Sequence, residues 1–171
     1  PMAQYTQGTF STDLIYRSLL DKDFGPKYNT VYSKGRLRTH NVKIEGYKPL
    51  DTFAQITKTG DIVHQQFDDL DIDYEIIDGK AFIKPFNFKL DKLTGSSSGT
   101  IDLEQNVDFL VHLKIPTEML GQDANQLMGQ FAGALAGFVL KVDVPENIEM
   151  DVAISGKVDN PNFKPSISGL S

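Results

Sequence analysis

The residues best equipped for chemistry are the acids of one short run, Asp68-Asp69-Leu70-Asp71-Ile72-Asp73-Tyr74-Glu75. Carboxylates at this density suggest calcium, whose binding loops offer oxygen ligands at alternate positions around a sharp glycine turn. A loop opening at Asp69 would need glycine at position 74 and a bidentate acid at position 80. The chain has Tyr74 and Lys80 there, so the motif fails. Leu70, Ile72, Tyr74 and Ile76 alternate with Asp69, Asp71, Asp73 and Glu75, which is the period of a strand. A strand spreads such carboxylates along one solvated face instead of gathering them around an ion.

The other candidates are sparse. His40, His64 and His112 stand at no metal-ligand spacing and are expected on the surface. No GxSxG, P-loop or GxGxxG is present, and Ser96-Ser97-Ser98 sits in a Gly/Ser stretch that resembles a flexible link more than a nucleophile elbow. The absence of cysteine removes disulfides, zinc–thiolate sites and cysteine nucleophiles together. The expectation is a protein that is not an enzyme and holds no cofactor or metal.

The elements that would position these residues are mostly strands. Residues 9–20 fit either a strand or a short helix; Thr, Phe, Ile and Tyr favour the strand. Residues 31–44 follow as a strand with Leu37, Val42 and Ile44 inward and a bulge at Gly35. A short helix over about 50–58 carries Leu50, Phe53, Ala54 and Thr57 on one stripe. The acidic strand, 67–77, ends at Asp78-Gly79, a two-residue hairpin signal. Residues 80–90 place Phe82, Phe86, Phe88 and Leu90 on one parity, with Pro85 marking a bulge or an edge. Residues 93–99 are read as a polar link. Val107, Phe109, Val111, Leu113 and Ile115 then share a face, as do Ile148, Met150, Val152 and Ile154 after a break.

Between those last two strands lies the one long stretch of helical periodicity. Leu120, Ala124, Leu127, Phe131, Leu135 and Phe138 step by three or four residues, and Gly121, Gly129, Gly133 and Gly137 form a small-residue ridge. Each interior glycine costs roughly 0.5–1 kcal/mol of helix stability relative to alanine, so this helix needs a packing partner. The fold class expected is α+β, mostly β: an antiparallel meander sheet, curved and apolar on one face. One long helix (about 117–139) and one short helix (about 50–58) would pack on it.

Size and charge narrow the role. The chain has 171 residues, enough for one domain over 1–171 with a sizeable core. A net charge of −6 argues against nucleic acid, which wants a basic patch. The longest apolar run, 131–140, falls well short of the roughly 20 residues of a membrane-spanning helix. The opening PMAQYTQGTF lacks the basic and apolar regions of a signal peptide; starting at a proline with a strand-like run soon after, the sequence is expected to be a piece of a longer protein.

A resemblance emerges from the order of these segments. GKAFIKPFNFKL, then SSSGTIDLEQNVDFLVHLKIPTEML, then the Gly/Ala-rich stretch, then IEMDVAISGKVDNPNFKPSI resembles the C-terminal region of AsmA-like proteins. Upstream, LLDKDFGPKYNTVYSKGRLRTHNVKIEGYKPLDTFAQI is similar to the segment that precedes it in that region. The likeness runs from about Phe10 to Ile167 and rests on order and spacing. It implies a periplasmic module of the cell envelope whose parent is anchored in the inner membrane. Such proteins, with their TamB-like relatives, support outer-membrane biogenesis or carry phospholipid along a β-sheet groove. The family supplies no catalytic residues. The partners it implies are phospholipid acyl chains or an outer-membrane protein.

The lipid-binding face expected from the alternation is built from Phe82, Phe86 and Phe88 on one strand and Val107, Phe109, Val111 and Leu113 on another. Ile148, Met150, Val152 and Ile154 complete it, and Leu127, Phe131, Leu135 and Phe138 face it from the long helix. The alternative expectation is a structural cap or protein-docking module with a filled core and no ligand. Helix against sheet decides between them, since the helix either closes a groove or fills it.

Overall fold

A computed structural model describes residues 2–60, 66–120 and 146–170. Among these described residues, eight strands form one open antiparallel sheet in which every strand pairs with its neighbours in sequence, β1 to β8. They are β1 (Thr6–Arg17), β2 (Tyr32–Ile44), β3 (Asp71–Ile77), β4 (Lys80–Leu90), β5 (Leu93–Ile101), β6 (Asn106–Pro116), β7 (Asn147–Lys157) and β8 (Asn160–Leu170). Four of the seven connections are turns of two to four residues, and a strand returning through a tight turn lands beside its predecessor. Asp78-Gly79 closes the β3–β4 hairpin with positive φ at both residues, 50° and 79°, as an Asp-Gly turn allows.

The short helix forms as expected, slightly earlier in sequence: α1 spans Lys48–Thr57. Pro49 suits its first turn, and Lys58 ends it in the left-handed conformation with its N–H bonded to the Ala54 carbonyl. Ala54 and Thr57 are buried on its inner face, and the Thr57 hydroxyl donates to the Phe53 carbonyl at 2.8 Å.

The long helix expected over 117–139 is not borne out. Its first residues form α2, a single turn over Thr117–Leu120, and residues 121–145 lie outside those described. Leu127, Phe131, Leu135 and Phe138 are among these residues outside the description. Leu120 is buried, and Met119 packs with it against the core.

A second correction concerns 93–99. This Gly/Ser stretch is no link but most of β5, a strand paired on both sides by β4 and β6. Two residues, Asp91-Lys92, make the turn that leads into it, with Asp91 at φ 53°. Low strand propensity is overridden here by position, since a central strand has both its hydrogen-bonding edges satisfied.

The core sits where β4–β7 meet α2. Leu113, Ile115, Ile148, Met150 and Val152 are almost wholly buried there with Leu90 and Leu93. Burying each such side chain contributes roughly 1.5–3 kcal/mol. At the opposite edge of the sheet, all of β1 is exposed, including Phe10, Leu14 and Tyr16.

Candidate apolar binding site

Register fixes which residues share a face. Leu93, Gly95, Ser97, Gly99 and Ile101 on β5 stand opposite Leu90, Phe88, Phe86, Ile83 and Ala81 on β4. On the other side of β5, Gly95 through Ile101 meet Leu113, Val111, Phe109 and Val107 of β6. The row continues through Ile154, Val152 and Met150 of β7 to Phe163, Pro165 and Ile167 of β8. One face of the sheet is therefore apolar from β4 to β8.

Phe82 is not on that face. A bulge between Ile83 and Phe86 places three steps of β4 against two of β5, so parity reverses across Lys84-Pro85. Proline, which gives no N–H to the ladder, is tolerated at such a point. Phe82 ends on the outer face, 39% exposed, with the Lys80 ammonium 5.6 Å from its ring centre.

Part of the apolar face is hollow. A cavity of about 360 Å³ lies over it, with Phe86, Phe88, Val107, Phe109, Val111 and Leu113 on its floor. Ile154, Val158, Pro161 and Phe163 form one wall; Val42, Ile44, Phe67 and Leu70 form the other. The roof is α1 and its approach, through Tyr47, Pro49, Leu50 and Phe53. Among the described residues lining it, Tyr47 and Ser97 have the only polar side chains. Cavities of this size lie within the usual range for bound small molecules, about 300–1,000 Å³.

Coiling of the sheet brings the end of β2 across to β8, and three contacts seat the roof. The Phe53 ring meets Phe163 edge-on at 5.9 Å between centroids. The Tyr47 hydroxyl donates to the Val158 carbonyl, bridging the β2–α1 corner to the β7–β8 turn. Tyr5 packs on Tyr47 at 5.6 Å. Burial raises the Tyr47 hydroxyl pKa above its ordinary value, with the Asp159 charge and Tyr5 adding to the shift. Below, the Phe67 ring rests against Phe88 at 6.3 Å.

The glycines of β5 explain how aromatic rings fit on this floor. A Cβ at Gly95 would stand 2.5 Å from the Phe88 ring, and one at Gly99 would stand 2.5 Å from the Phe109 ring. Each ring lies across a position that has no side chain, and Ser97 is left between them facing the cavity.

Seven residues expected on the lipid-binding face line this cavity: Phe86, Phe88, Val107, Phe109, Val111, Leu113 and Ile154. Ile148, Met150 and Val152 share the face but belong to the filled core. Periodicity sets the short helix on the apolar face, as expected, but assigns the lid over that face to the long helix. The Leu50/Phe53 stripe is the visible signal of the short helix, yet nothing local ties that helix to β8.

The outer face carries the polar chemistry. The acids of β3 are paired, as Arg36 meets Asp73 at 2.9 Å and Asp71 at 3.4 Å. The Arg36 hydrogen bond holds the Asp73 carboxyl below its usual range, and Asp73 in turn raises Arg36. No group of three or more acids or histidines able to hold a metal ion occurs among the described residues. His40 bonds Asp69 at 2.7 Å, and His112 bonds Asp151 at 2.6 Å; His64 lies outside the described residues.

Ser96, His112 and Asp151 stand side by side across β5, β6 and β7, the residue types of an acyl-transfer triad. All three strands are paired on both sides. Their backbone N–H groups are engaged in the ladder, so the main chain of this row offers no donor pair of the kind that holds an oxyanion.

No helix among the described residues is long and apolar enough to cross a membrane. In comparisons with known proteins, no family model, curated protein or solved structure matches the chain.

Proposed function

We propose that this chain is a non-enzymatic module that shelters the apolar part of a lipid between α1 and the sheet. The observation carrying this reading is the cavity of about 360 Å³ whose described lining is apolar except for Tyr47 and Ser97. An alkyl chain offers nothing to hydrogen-bond, so such a lining is complementary to it. Each methylene taken from water contributes about 0.8 kcal/mol before the costs of association. A charged headgroup stays at the rim in water, because burying an unpaired charge is heavily penalised.

The resemblance to AsmA-like C-terminal regions gives this chemistry a setting. We place the module in the periplasm, as part of a protein anchored in the inner membrane, serving outer-membrane biogenesis or phospholipid transport. A second reading, a cap or docking module, is favoured by one observation: edge strand β1 exposes Phe10, Leu14 and Tyr16. In that reading an outer-membrane protein or another part of the parent covers the edge.

Native mass spectrometry and lipid extraction of the protein purified from bacteria test the first reading. A lipid adduct, and a fluorescent acyl probe displaced by phospholipid, are the expected results. Protein free of lipid that also fails to bind the probe would leave only the cap.

A further inference from the structure

Resting on the lipid-holding reading above, we infer that the cavity takes one unbranched alkyl chain of about twelve carbons, and that Ser97 sets its depth. The volume carries the first part. At roughly 30 Å³ for a group the size of water or a methylene, about 360 Å³ holds on the order of a dozen such groups. A two-chain lipid would seat one chain and leave the other outside.

The second part follows from the floor. Phe88 and Phe109 occupy the space over Gly95 and Gly99, so the hollow between those rings opens over Ser97. Ser97 is flanked in register by Phe86 on β4 and Val111 on β6, both of which also line the cavity. A larger side chain there grows into the space a ligand would use. No charged side chain occurs among the described lining residues, so the chain enters tail first and its polar end stays out.

The test is displacement of dansyl-undecanoate from the purified chain by saturated fatty acids, from octanoate to hexadecanoate in even steps. Affinity is expected to rise about fourfold per added methylene up to dodecanoate and then to level off. In Ser97→Leu the plateau should fall about one even step shorter, with dodecanoate bound roughly tenfold to sixtyfold more weakly. Ser97→Val gives a smaller shift in the same direction should the leucine variant fail to fold. Ser98→Leu, on the outer face opposite Leu110, should leave the series unchanged. Affinity that climbs undiminished to hexadecanoate, or Ser97 variants that fold and bind like the parent, would overturn the inference while leaving lipid binding standing. If dansyl-undecanoate does not bind at all, the lipid-holding reading falls and takes this inference with it.

Discussion

The seating of α1 on the far edge of the sheet can be tested through two rings. Phe53 on α1 and Phe163 on β8 meet edge-on at 5.9 Å, and both line the cavity. Truncating a fully buried phenylalanine to alanine costs about 3–5 kcal/mol. Phe53 is only half-buried and lies beside existing empty space, so Phe53→Ala should cost less, about 2–3 kcal/mol. For a chain of 171 residues that corresponds to a fall in Tm of roughly 4–12 °C. The sharper quantity is the coupling. An edge-on aromatic pair contributes about 0.5–1.5 kcal/mol beyond its area, so the double variant with Phe163→Ala should be less destabilised than the sum of the singles by that amount. Urea unfolding of the four proteins measures it. Coupling below about 0.3 kcal/mol, the usual scatter for independent sites, would show that α1 does not rest on β8 and that the cavity has no roof.

Two further outcomes follow from the geometry. Gly99→Ala places a methyl 2.4 Å from the Asp108 carbonyl oxygen and 2.5 Å from the Phe109 ring, and the backbone contact cannot swing aside. It should destabilise by about 1–3 kcal/mol, roughly 2–12 °C in Tm; a neutral result in thermal unfolding would mean that β5 is not held between β4 and β6 as described. Tyr47→Phe removes the hydroxyl bonded to the Val158 carbonyl and should cost about 0.5–1.5 kcal/mol at neutral pH. Because burial raises the Tyr47 pKa in the folded state, the unfolded chain releases that proton first. The stability linked to it is full below pH about 10 and is lost as pH rises through the folded value. Denaturation midpoints of parent and variant should therefore converge above pH about 10, and parallel alkaline slopes would contradict the buried placement of Tyr47.

Much of the sheet is legible in the sequence because its forces are local. Strict alternation along β3, β6 and β7 gives both the strands and their apolar face, and Asp78-Gly79 carries its own turn geometry. The failures mark where non-local forces take over. The Gly/Ser composition of β5 resembles a linker, and only pairing on both sides with aromatic rings over its glycines makes it a strand. Phe82 is assigned to the wrong face because one bulge at Lys84-Pro85 inverts everything before it, and parity counting cannot register that step. The roof is the least local feature, expected on the sheet but not over these strands. Periodicity identifies the inner stripe of α1, but its position over the cavity comes from the coiling of the whole sheet, which carries Tyr47 to Val158 across 111 residues.

The central claim, an alkyl chain held on one face of the sheet under α1, is tested most directly along a single strand. Val107, Val111 and Leu113 of β6 point into the cavity, whereas Leu110, between them in sequence, is exposed on the outer face. Intermolecular NOEs from protonated dodecanoate to the methyl groups of the otherwise deuterated, methyl-labelled protein distinguish the two faces. Contacts to Val107, Val111 and Leu113, with none to Leu110, are the predicted result. Contacts to Leu110, or to no methyl group of β6 in a sample shown to be saturated, would contradict the account.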